Sequence, residues 1–123
     1  MPKDLEIRLA DQPGTVAGVL EATGNAGINV IGGCGFVSGG VGTFHICVED
    51  AGLARQALEA AAVEVSAERD VVVTPVENRP GGGARVFRKI ADAGINIDLA
   101  YTTADGRLVI GGGDTAAIER ALG

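Results

Sequence analysis

The chain has 123 residues with 16 acidic and 10 basic side chains, a net charge of −6, and 46% apolar residues, which excludes a disordered tail. There is no basic surplus for a nucleic-acid backbone or an anionic membrane surface, and 3% aromatics with no Trp leave little to stack on bases. No run approaches the roughly 18 apolar residues of a membrane helix, and Met1-Pro2-Lys3-Asp4 lacks the basic and apolar regions of a signal peptide, so a soluble cytoplasmic protein is expected. Two cysteines and one histidine cannot build a four-ligand zinc site, so neither metal nor cofactor is expected, and Cys34 and Cys47 read as reduced thiols.

In chain order, Leu5, Ile7 and Leu9 alternate with Glu6, Arg8 and Ala10, the pattern of a half-buried strand. Pro13-Gly14 opens a helix carrying Val16, Val19, Leu20 and Thr23 and closed by Gly27. Asn29 to Val37 and Val41 to Val48 flank Ser38-Gly39-Gly40 as a hairpin, with Gly32, Gly33 and Gly35 marking a bulge or a close backbone approach. Asp50 caps a second helix over Leu53, Ala57, Leu58 and Ala61, and Val63 to Val65 form a last short strand.

The order then repeats. Val71 to Val76 is a strand, Ala84, Phe87 and Ile90 mark a helix, and Asn96 to Thr103 with Arg107 to Ile110 surround the Asp105-Gly106 turn. A last helix covers Asp114 to Leu122, with Gly111-Gly112-Gly113 as a loose link before it, and no fourth strand follows. The triple Gly81-Gly82-Gly83 at a helix start implies close backbone approach or a mobile flap.

Sliding the sequence by 67 residues aligns Pro13-Gly14 with Pro80-Gly81 and Ala26-Gly27-Ile28-Asn29 with Ala93-Gly94-Ile95-Asn96. Further on the offset falls to 64, aligning Asp50 with Asp114 and Leu58 with Leu122. The fold class is therefore α+β: two ferredoxin-like βαββαβ repeats, residues 1–69 and a truncated 70–123, each an antiparallel sheet with both helices on one face. Thin sheets of this kind leave a face or edge to be covered, so the copies are expected to pack together and to form a homodimer.

The doubled Pro-Gly and Gly-Ile-Asn motifs resemble the ACT domain, a small regulatory module that binds amino acids. Glu77-Asn78-Arg79-Pro80-Gly81 followed by Ala93-Gly94-Ile95-Asn96-Ile97 is similar to the serine-binding regulatory domain of phosphoglycerate dehydrogenase. The whole chain looks like a stand-alone tandem ACT protein. The resemblance implies a ligand between paired copies, joining Asp11, Gln12 and Gly14 to Asn96 at one site, and Asn78, Gly81 and Gly82 to Asn29 at the other. Val76 and Leu9 stand where the dehydrogenase-like pattern has a histidine, so serine specificity is not implied. Asp11 replaces Asn78 in the first copy and makes the two sites unequal, the second being favoured.

The chemistry of such a site follows from helix starts, where unsatisfied N–H groups and glycine let a carboxylate approach, while an amide oxygen accepts from the ammonium. The expected function is a non-catalytic amino-acid sensor, read by a metabolic enzyme or a transporter, without nucleic-acid or membrane partners. The alternative is a small enzyme using Cys34 or His45. The hairpin pairs residues whose numbers sum to about 79, which places Cys34 opposite His45. No third group is evident beside them, and an ordinary strand pair is the expectation.

Overall fold

In β1 (Lys3–Ala10), Leu5 and Ile7 are fully buried and Arg8 is exposed, as the alternation requires. Helix α1 (Thr15–Asn25) buries Val19 and Thr23. Strands β2 (Gly32–Ser38) and β3 (Val41–Val48) meet at a two-residue turn, Gly39 and Gly40, both with positive φ, the geometry that matches the twist of a hairpin. Helix α2 (Ala51–Ala60) and strand β4 (Glu64–Asp70) complete a sheet of order β2-β3-β1-β4. Its core is Leu5, Ile7, Ile46 and Val48 against Val19, Ala54 and Leu58 of the helices.

The computed structural model describes all 123 residues and divides into Met1–Arg69 and Asp70–Gly123. The second unit holds β5 (Val72–Pro75), α3 (Gly82–Asp92), β6 (Ile97–Thr102), β7 (Arg107–Gly112) and α4 (Thr115–Leu122), with sheet order β5-β7-β6. It lacks a fourth strand, so β5 is an edge where the equivalent β1 is paired on both sides. Val72, Leu108 and Ile110 pack on Ile90 and Ile118.

The repeat holds bond by bond. Gln12 N–H donates to Ala10 O and Arg79 N–H to Glu77 O; Gly18 N–H donates to Gly14 O and Arg85 N–H to Gly81 O. At the helix ends Gly27 and Gly94 are left-handed, and Ile28 and Ile95 donate back to Thr23 O and Ile90 O, which closes two Schellman motifs.

Several boundaries differ from the sequence reading. Strand β2 starts at Gly32, because residues 29 and 30 lead out of the helix cap and Ile31 makes the first bond to β3, from its N–H to Cys47 O. Strand β4 runs seven residues rather than three, as a largely exposed edge strand with little apolar alternation. The strand expected over Val71 to Val76 is confined to Val72–Pro75. Gly111 and Gly112 are not a loose link: both lie in β7, and a Cβ on Gly112 would stand 2.9 Å from Asn96 O. In β2 there is no bulge; a Cβ at Gly33 would meet His45 O at 2.6 Å, so glycine permits close strand packing.

Helix α2 ends in the same way as α1 and α3, with Val63 N–H on Leu58 O, but its left-handed residue is Ala62 at φ 59. A left-handed alanine costs about 1–2 kcal/mol, while the greater freedom of glycine in the unfolded chain costs about 0.4–1 kcal/mol. Ala62→Gly should therefore stabilise the protein by roughly 0.5–1 kcal/mol. Urea denaturation reads this as a raised midpoint at unchanged slope.

Candidate functional site

The four helices start in two ways. Asp50 and Asp114 cap α2 and α4, each accepting from a backbone N–H at 3.0 Å, whereas α1 and α3 start at left-handed Gly14 and Gly81 with no side-chain cap. A side-chain cap is what ordinarily occupies the first N–H groups of a helix; in α1 and α3 the very first is held by the loop, Thr15 by Gln12 O and Gly82 by Arg79 O, and the next two, of Val16 and Ala17 and of Gly83 and Ala84, remain available to an anion.

In the first unit, the Thr15 hydroxyl ties the loop by reaching Ala10 O at 3.0 Å and Gln12 O at 3.1 Å. Beside this loop lies a cavity of about 320 Å³, near the lower limit for small-molecule sites. Asp11, Gln12 and Val16 line one side, and Phe36, Val37 and Phe44 from the hairpin line the other. Gly14 is not part of that lining.

In the second unit the loop is braced by the Glu77–Arg79 ion pair and by Gly82 N–H donating to Arg79 O at 2.9 Å. Any side chain at Gly82 would collide with the Glu77 carbonyl. The close backbone approach expected of the glycine triple is thus with the loop's own Glu77, and what is corrected is Gly82 as a ligand donor, because its N–H is committed to Arg79 O. Gly81 and Asn78 remain exposed.

Asn29 and Asn96 follow the Schellman motifs, are exposed, and their side chains make no hydrogen bond. The same holds for Asp11, Gln12 and Asn78. Within a repeat the structure does not bring loop and asparagine together. Each uncapped helix has 11 residues, so about 16 Å of helix separates Gly14 from Asn29 and Gly81 from Asn96.

Cys34 does face His45 across the hairpin. The missing third group is present, on β1: His45 Nδ1 lies 2.8 Å from Asp4 Oδ2, and Nε2 lies 3.7 Å from Glu6 Oε1. Ser66 donates to Glu6 Oε2 at 2.9 Å. Asp4 is fully buried, and an isolated buried carboxylate is costly, so the imidazole compensates it. Burial, and then the charge of Asp4, push the Cys34 thiol up, opposite to what an activated nucleophile needs. This argues against Cys34 as an activated nucleophile.

No protein-family model matches the chain, and no curated protein matches it. Solved structures do. Protein BT0572 from Bacteroides thetaiotaomicron superposes with TM-score 0.84 at 26% identity, covering 98% of this chain and 85% of that one. The ligand-free regulatory subunit of aspartate kinase from Thermus thermophilus gives TM-score 0.75 at 25% identity, covering 98% and 89%. The corresponding subunit from Thermus flavus gives 0.70 at 24% identity, covering 98% and 90%. The fold is thus α+β, two ferredoxin-like repeats with the second sheet one strand short. Regulatory subunits among the neighbours support a non-catalytic regulatory role. No helix is long and apolar enough to cross a membrane.

The Asp4–His45 pair has a testable signature. The hydrogen bond to Asp4 is the main cause that raises the His45 pKa; burial lowers it, the charges of Asp4 and Glu6 raise it, and Arg69 lowers it. Because the folded value lies above the unfolded one, about 6.5, the stabilisation is complete below that pH and disappears as pH rises through the folded value. His45→Gln should cost about 1.5–3 kcal/mol in urea unfolding at a pH near 5.5, and clearly less near pH 9. An equal loss at both would show that His45 does not titrate in this way.

Proposed function

We propose that the protein is a non-catalytic amino-acid sensor of the tandem ACT kind. The ligand carboxylate docks on the open N–H groups at the start of α3 or α1, and its ammonium meets the amide oxygen of a link asparagine from a paired repeat. Gly81, Gly82 and Asn78 act with Asn29, and Gly14, Asp11 and Gln12 with Asn96. The observation that carries this reading is the contrast in helix starts: two Asp-capped helices, and two that begin uncapped at a left-handed glycine beside polar side chains without partners.

The site on the second loop is the stronger of the two. Neutral Asn78 offers no repulsion to a carboxylate, whereas Asp11 would repel it unless turned to the ammonium. Since Gly82 N–H is held by Arg79 O, its part is to shape the loop, and the donors come from Gly81, Gly83 and Ala84. Regulation follows from differential affinity: a ligand that contacts two repeats favours the paired state and shifts its population. The pairing proposed is a cytoplasmic homodimer, and the reader of the bound state is a metabolic enzyme or a transporter. The aspartate kinase subunits among the structural neighbours support such a partner.

A thermal-shift screen of the twenty amino acids should find one or a few stabilising ligands, small or aliphatic, because binding to the folded state alone raises the melting temperature. Asn78→Ala should weaken binding at the stronger site by about tenfold and Asn96→Ala binding at the weaker one, with unfolding free energies within roughly 0.5 kcal/mol of wild type, as expected of exposed side chains without partners. A flat response at millimolar ligand, from folded protein cleared of copurified ligand, would sink the reading.

A further inference from the structure

The second unit holds a cavity of about 350 Å³ between its loop at Glu77 and Gly82, β5, α3 and the end of α4. It lies against β5, which is an edge strand of its sheet. Two cations on successive turns of α3, Arg85 and Lys89, line it together with Thr74, and Val76, Val86 and Leu122 provide an apolar wall.

Those cations are anomalous in this acidic protein. Lys3, Arg8, Arg55, Arg79, Arg88 and Arg107 each pair with a carboxylate, and Arg69 is engaged in an interaction. Only Arg85, Lys89 and Arg120 have no such partner, and two of these three share one cavity. Glu77, the acidic group in the lining, is neutralised by Arg79. Like charges four residues apart on a helix repel, so the pair works against α3. The repeat does not require them either, because the equivalent positions in the first copy are Gly18 and Ala22.

We propose that this cavity binds a small aliphatic dicarboxylate, with one carboxylate on the Arg85 guanidinium, the other on the Lys89 ammonium, and the carbon chain on Val76, Val86 and Leu122. The Cβ atoms of residues four apart lie roughly 5–6 Å from each other, a span suited to two carboxylates separated by two or three methylenes. Arginine can take one carboxylate through two parallel hydrogen bonds, and lysine holds the other as a point charge. This cavity adjoins the amino-acid loop and shares Gly82 with it, but Asn78 and Gly81 do not line it, and its charged groups are Arg85 and Lys89 of α3.

The test is a chemical-shift titration of the full chain with glutarate at low salt, with butyrate and inorganic phosphate as separate arms. Glutarate should saturate, and butyrate, which has the body with one charge, and phosphate, which has charge without a body, should bind at least about tenfold more weakly. Arg85→Gln and Lys89→Gln should each weaken glutarate about tenfold, while Arg120→Gln, removing the third unpaired cation, and Asn78→Ala should leave it unchanged. Circular dichroism and melting temperature confirm the fold of each variant, and two independent variants guard against the loss of either. The proposal is overturned by the absence of saturation, by phosphate or butyrate matching glutarate, or by an equal loss in Arg120→Gln. Loss in Asn78→Ala also overturns it, by placing the anion at the amino-acid loop. An intact glutarate response with a flat amino-acid screen sinks the sensor reading alone.

Discussion

Four left-handed glycines, Gly14, Gly27, Gly81 and Gly94, are the constraint on which the rest of the structure depends. An L side chain at such a position costs about 1–2 kcal/mol, so each glycine fixes where the chain can turn cheaply into or out of a helix. Gly14 and Gly81 start α1 and α3 without a side-chain cap; Gly27 and Gly94 end them in Schellman motifs. The same four residues therefore set the lengths of the helices, the position of those helices over the sheets, and the polar groups left without an internal partner at either end.

This explains why so much of the fold was legible in the sequence. Left-handed turns need glycine, and glycine is visible; the alternation in β1, the turn at Gly39-Gly40 and the Asp50 and Asp114 caps are equally local. What stayed hidden was non-local or lacked an apolar signal. Strand β4 carries Glu64, Glu68, Arg69 and Asp70, and its ordering comes from pairing with β1 and from side-chain bonds such as Ser66 to Glu6, which no window of sequence contains. Asp4 and His45 are 41 positions apart, and Asp4 sits in a run whose polar residues read as solvent-facing. Cys34 opposite His45 followed from hairpin arithmetic, but Asp4 and Glu6 did not, because the β1–β3 register is set by a tertiary contact.

The candidate site was legible in a different measure. Its loops and link asparagines could be located from the motifs, but whether their side chains were already committed could not. Gly82 shows the difference: the motif names it as a residue of the ligand site, yet it accommodates the Glu77 carbonyl of its own loop. Conversely, Asn29 and Asn96 could have been mere cap residues. The Schellman bonds run through the glycine and the isoleucine and are complete without them, so the cap accounts for Gly-Ile and leaves the asparagine unexplained.

That residue left over bears on why the module is doubled. With about 16 Å of helix between its loop and its asparagine, a single repeat cannot present both to one small amino acid, whereas two paired repeats can exchange them. Duplication also frees the copies to diverge. The first retains the fourth strand and an anionic loop at Asp11. The second has a three-stranded sheet, carries neutral Asn78, and places Arg85 and Lys89 beside the β5 edge. A tandem built this way is symmetric in its backbone turns and asymmetric in its charges. Its two halves then differ in the charges they present even though they share how they fold.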